Sequence, residues 1–136
     1  WYVTGVQLEA GSVATPFEQR SYGAELALAQ RYYAKMTAST GTYTAFGSGI
    51  WASVSSGNIY IKFPTTMRST PTINQSNCAI NDTGALYPIT SVGTTYAGTD
   101  TAFQAFIVAS GGTIYRPAVI GANNNTAAYV ELTSEL

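Results

Sequence analysis

Seven carboxylates, six basic residues, one cysteine and no histidine are the groups with which these 136 residues could do acid–base, nucleophilic or metal chemistry. Without histidine the common Ser-His-Asp and Cys-His arrangements are excluded, together with the most frequent general base. Nearly every zinc site goes with them, because Cys78 alone cannot supply the ligands. Glycoside hydrolysis needs only two carboxylates. Five of the seven (Glu9, Glu18, Glu25, Glu131, Glu135) lie near the termini. The other two, Asp82 and Asp100, fall in Asn81-Asp82-Thr83-Gly84 and Gly98-Thr99-Asp100, where aspartate is an ordinary turn residue. Neither stretch has the oxygen-ligand spacing of a calcium loop, and no GxGxxG or P-loop cradles a nucleotide. The expectation is a chain that is not an enzyme and holds no cofactor and no metal.

The chemistry that the composition does favour is contact. Ten tyrosines, five phenylalanines and two tryptophans accompany abundant Ser, Thr and Asn. Sugars are held by aromatic faces, with amides and backbone groups bonding their hydroxyls. Two candidate sets emerge. One is Trp51, Tyr60 and Lys62, read as a patch on the non-core face of a hairpin. The other is Tyr87, Tyr96 and the Asn123-Asn124-Asn125 run, read as loop residues on a rigid scaffold. The first set reads as a subunit contact ahead of a glycan site, and each position of the second reads also as plain turn chemistry.

Nucleic acid is excluded as a partner, since Arg20, Arg31, Lys35, Lys62, Arg68 and Arg116 are scattered rather than clustered. No apolar run approaches the roughly 20 residues of a membrane span. Only 10% of residues are charged, with a net charge of −1. So neutral a chain is expected to hide surface in an oligomer or a larger particle. The single cysteine excludes an internal disulfide and reads as a small buried hydrophobe.

The elements that must position these groups are mostly strands. Ser21 as N-cap, Glu25 early and Arg31 late predict a helix over 21–31, too short to stand alone and expected to dock Leu26 or Leu28 on the β domain. A strand is expected over 1–9. Further strands are expected over 32–37, 50–54, 59–63, 70–75, 86–92, 101–109, 113–119 and 126–132, separated by Gly, Asn, Asp and Pro turns. Of Tyr32 and Tyr33, one is expected in the core. With a turn at Ser55 to Asn58, alternation puts Ile50, Ala52, Val54, Ile59, Ile61 and Phe63 on the core side, and Trp51 across from Lys62 on the other. The stretch from Phe103 to Val108 is apolar on both faces, so it is either central or covered by a neighbour. The fold class expected is mainly β: an antiparallel β-sandwich of about eight short strands behind one short helix.

Residues Gly5-Val6-Gln7-Leu8-Glu9-Ala10-Gly11-Ser12-Val13-Ala14-Thr15-Pro16-Phe17-Glu18 form a join that resembles one found in bacteriophage tail-fibre and tailspike proteins. There it closes one β-domain, and a helix similar to Arg20-Ser21, Glu25-Leu26, Leu28 and Gln30-Arg31-Tyr32-Tyr33 leads into the terminal domain. Phe63-Pro64, Met67-Arg68, Thr70-Pro71-Thr72 and the ending from Glu131 to Leu136 are similar to further family elements, while residues 73–125 carry no resemblance. Ala24 and Ala29 depart from the family pattern. The opening Trp1-Tyr2-Val3, without Met and inside a strand pattern, is expected to be part of a longer polypeptide. The resemblance implies that residues 1–20 end a preceding β-domain, that residues 21–136 form the terminal domain and that the natural C-terminus is present. It also implies a homotrimer on the virion, outside the cell, attaching to a bacterial surface polysaccharide or lipopolysaccharide. A fibre-trimerising cap without receptor contact, and a non-catalytic carbohydrate-binding module of a tailspike depolymerase, are the alternatives.

Overall fold

The computed structural model describes residues 6–13, 15, 16, 19–38, 41–83 and 85–134. Among these residues one helix, α1 (Tyr22–Gln30), precedes nine strands: β1 (Tyr33–Thr37), β2 (Ala45–Ser53), β3 (Ser56–Lys62), β4 (Thr72–Ser76), β5 (Cys78–Asp82), β6 (Ala85–Ala97), β7 (Thr101–Val108), β8 (Pro117–Ala122) and β9 (Tyr129–Thr133). Six of them close into a barrel in the order β2-β3-β7-β6-β5-β8, and the others form a small sheet ordered β1-β9-β4. All pairings are antiparallel. The mainly β, antiparallel class is as expected. The architecture differs from two facing sheets because β8 pairs with both β2 and β5 and so closes the ring. Closure leaves no free edge on the barrel.

Period-two alternation fills the barrel. Ile59 and Ile61 of β3, Ile80 of β5, Ala102, Phe106 and Val108 of β7, and Ala118 and Ile120 of β8 are all buried. Gln104 is buried among them. Its amide donates to the Gly93 carbonyl at 3.0 Å, beside the point where the β6–β7 register slips. That bond satisfies a carbonyl the irregularity takes out of the ladder. The small sheet buries Ala34, Ile73, Val130 and Leu132 on one face and turns Tyr33, Lys35 and Glu131 outward.

The β2–β3 hairpin departs from the sequence reading. Its register pairs Ser48 with Tyr60, Ile50 with Asn58 and Trp51 with Gly57, so Val54 and Ser55 form the turn. The register differs by an odd number from the expected one, which moves every β2 side chain to the other face. Ile59, Ile61 and Phe63 are buried as expected, but Ile50, Ala52 and Val54 face out and Trp51 is wholly buried. Gly112 makes its place, since a Cβ there would come 2.2 Å from the indole, while a Cβ on Gly57, across from Trp51 on β3, would meet Ile80. The start of β2 is glycine-rich for a similar reason, since a Cβ on Gly49 would meet the Asn58 carbonyl.

Ser21 caps α1, accepting from the Ala24 amide at 3.4 Å. No helix residue is buried; Leu26 and Leu28, expected to dock, are each 40% exposed. The junction after the helix is tied down by the Arg68 amide donating to Arg31 and the Ser134 amide donating to Tyr32. Tyr32 and Tyr33 are both half-exposed, so neither enters the core. Arg68 lies over the Tyr32 ring, and the Tyr33 hydroxyl bonds Glu131 at 3.2 Å. Of the strand expected over 1–9, residues 1–5 lie outside the described residues, and Val6 to Glu9 form no strand. Glu9 accepts from the Thr15 hydroxyl and amide, both at 2.6 Å, which hold its carboxyl below the usual range. The expected C-terminal match at Glu135 and Leu136 also lies outside the described residues.

Candidate ligand-binding surface

The outer wall of the barrel carries aromatic side chains in a row. Register places Tyr60 beside Phe103, Phe103 beside Tyr96, and Ser48 between Tyr60 and Val119. Neighbouring strands lie about 4.8 Å apart, so Tyr60 and Tyr96 stand roughly 10 Å from one another with Phe103 between. Tyr96 is 70% exposed, Tyr60 is about half-exposed, and Phe103 and Val119 are each more than a third exposed. Ile50 stands one step along β2 on the same wall. Exposed apolar groups clustered in this way on a polar barrel mark a contact surface.

Lys62 follows Tyr60 on the same face of β3, opposite Thr101. Among the described residues its ammonium has no ion-pair partner. A groove of about 380 Å³ runs beside Tyr60, lined in part by Phe46, Ser48, Lys62 and Val119. Aromatic faces, a hydroxyl and a free cation along one shallow groove suit a ligand with apolar C–H faces and polar edges.

The structure thus separates the residues singled out in the sequence. It brings Tyr60 and Lys62 of the first set onto one surface with Tyr96 of the second, which stands in β6 rather than in a loop, and adds Phe103, whose alternating apolar stretch carried no sign of which face is exposed. Trp51 is removed from that surface, since its indole lies inside the barrel against Tyr87, with ring centroids 5.2 Å apart at 90°. Tyr87 is therefore a half-buried packing residue rather than a loop residue. Asn123 and Asn124 sit in the β8–β9 connection. There the Asn123 amide donates to Asn77, and Asn124 takes a positive φ of 50°. Asparagine tolerates that conformation well.

The groups with catalytic potential are held apart. Asp82 ends β5 at one end of the barrel, and Asp100 lies in the β6–β7 turn at the other. Between the two ends runs β6, whose 13 residues span roughly 40 Å when extended. A carboxylate pair acting on one glycosidic bond must lie within about 10 Å. Cys78 is buried, with its sulfur 3.3 Å from the carbonyls of Ser76 and Tyr129, and burial pushes its thiol up to about 11. Among the described residues no group of acids, cysteines or histidines could hold a metal ion, and no helix is long and apolar enough to cross a membrane.

No protein-family model, curated protein or solved structure matches this chain.

Proposed function

We propose that this chain is the receptor-binding tip domain of a bacteriophage tail fibre, displayed as a homotrimer on the virion and attaching it to a bacterial surface polysaccharide or lipopolysaccharide. The observation that carries the reading is the Tyr60–Phe103–Tyr96 row with Lys62 beside it. Two exposed rings two strands apart offer aromatic faces to an extended sugar chain, and the groove beside Tyr60 leaves room for substituents. The resemblance of residues 5–18 and 20–33 to the fibre join supports the setting. The uncovered apolar side chains of α1 support an oligomer, because a helix that is apolar all round needs cover.

The uncovered helix also favours a second reading, a module that trimerises and caps the fibre without touching a receptor. One experiment separates the two. The fluorescently labelled chain, its solution mass measured first, is applied to a panel of bacteria with and without surface polysaccharide stripped. The receptor reading expects selective staining that disappears on stripping and falls at least tenfold in Tyr60→Ala and Tyr96→Ala. Staining of no strain by an intact oligomer, or staining that survives stripping, would leave the capping module in its place.

A further inference from the structure

A second surface lies at one end of the barrel. The end of β2, the start of β3, the end of β5, the start of β6, the end of β7 and the start of β8 meet there, so it is ringed by the Val54–Ser55 turn, Thr83 and the loop of residues 109–116. That loop lies flat across the opening. Gly111, at a φ of 118°, rests on the Tyr87 ring where a Cβ would come within 2.4 Å, and Gly112 rests on Trp51. It is pinned by the Gly112 amide donating to Val54, the Tyr115 amide to Trp51 and the Trp51 amide to Arg116.

Three oddities converge in this small region. Tyr115 has a φ of +66°, a strained conformation for a bulky residue, and its side chain is 82% exposed. The flanking hydrogen bonds hold an aromatic ring out into solvent at a conformational cost, which is the pattern of strain retained for use. Next to it, Arg116 lies over Asp82, whose side chain is only 1% exposed. Both carboxylate oxygens of Asp82 accept no hydrogen bond, and the Trp51 Nε1 donor just inside the barrel is equally unpartnered. Buried groups of this kind are normally satisfied.

The cover over Asp82 is light. Arg116 Nη1 stands 3.7 Å from the carboxylate, too far for a hydrogen bond, and 3.3 Å from the Thr83 hydroxyl. A small outward swing of this half-exposed guanidinium opens a carboxylate that accepts only, beside a guanidinium that donates only. An anion would complete Arg116 but be repelled by Asp82, and an ammonium would do the reverse. A hydroxyl both donates and accepts, so two adjacent hydroxyls satisfy the pair together.

We propose that this barrel mouth is a binding site for the vicinal hydroxyls of a neutral sugar ring, with Asp82 and Arg116 dividing the two hydroxyls and Tyr115 stacking on the ring's C–H face. It shares its ligand class with the function proposed above, but its location owes nothing to the Tyr60–Phe103–Tyr96 row.

Trp51 is the natural reporter, since the loop rests on its indole. In the full chain carrying Trp1→Phe, the Trp51 indole N–H is the sole tryptophan resonance, and it is followed by NMR during titration with neutral hexoses and, separately, with inorganic phosphate. A saturable shift with at least one hexose and none with phosphate is expected. Tyr115→Ala and Arg116→Gln should each weaken it about tenfold, with Tyr60→Ala and Tyr96→Ala leaving it unchanged. Both mouth substitutions are at exposed positions, and retained spectral dispersion would show that they fold. A resonance that no hexose moves would assign the empty bonds of Asp82 to trapped water and overturn the proposal. A shift abolished by Tyr60→Ala instead, or produced by phosphate alone, would overturn it as well. Hexose binding here without any staining of cells would leave this site standing and remove the attachment reading.

Discussion

Trp51 fills the end of the barrel between Gly112 and Tyr87, and the fold there depends on its bulk. Replacing it by alanine opens a cavity that Gly112 cannot collapse into, because it has no side chain to move. We predict a loss of about 3–5 kcal/mol for Trp51→Ala in urea unfolding. Trp51→Phe should cost clearly less, since it keeps most of the apolar area and removes an unpartnered indole donor. Cys78 makes a second prediction at this scale. Its thiol is raised in the fold from 9.0 to about 11, so the unfolded chain loses that proton first as pH rises. The thiol's contribution is complete below pH 9 and declines between pH 9 and 11. The stability curve of the native chain should therefore fall more steeply over that window than that of Cys78→Ala. A thiol reagent at neutral pH should label Cys78 only after denaturant is added.

Among the elements, the β2–β3 hairpin shows why a local pattern was legible only in part. Alternation across Ile50-Trp51-Ala52-Ser53-Val54 allows two faces, and three aliphatics on one of them outweigh one tryptophan in any count of hydrophobicity. Gly57 reads as a turn residue but stands in a strand, opposite Trp51. Pairing of the largest side chain with the smallest was the available signal, and it flips the whole face. Tyr60 and Lys62 face outward as alternation along β3 predicts, whereas the exposure of Phe103 depends on which strands flank β7. The helix was legible in its cap and bounds, since Ser21 and the residues after it act locally, but its docking was not. Leu26 and Leu28 are two residues apart, roughly 200° around the axis, so one face of the barrel cannot bury both. A partner covering α1 from another side would do so. We predict that Leu26→Ser with Leu28→Ser lowers the solution mass of the native chain toward that of a monomer, with association at least tenfold weaker. Barrel stability in urea should be unchanged. Sedimentation of the two proteins side by side would decide it, and equal masses would free the helix of any role in assembly.

At the scale of the molecule, short strands and their turn residues announced a mainly β, antiparallel fold because period and turn chemistry are local properties. The choice between sandwich and barrel is not local. It rests on β8 reaching both β2 and β5, and on β5 itself, a five-residue strand that follows β4 after the single hinge residue Asn77. Nothing in Cys78-Ala79-Ile80-Asn81-Asp82 distinguishes a barrel stave from a continuation of the preceding strand. The same non-locality hid the second surface, because Asp82 and the adjacent pair Tyr115 and Arg116 come from two distant stretches that only closure brings together.

The chain leaves the barrel for the small sheet after β3 and again after β8, and enters it from β1 and β4, always at the end away from the 109–116 loop. The barrel is thus tethered by one end only, like a lantern hung from its cap. The turns at the free end carry no connection to the small sheet, so the junctions between the two sheets all lie a barrel's length away from them. The mouth proposed above as a sugar site therefore lies at the end of the barrel that bears none of these junctions.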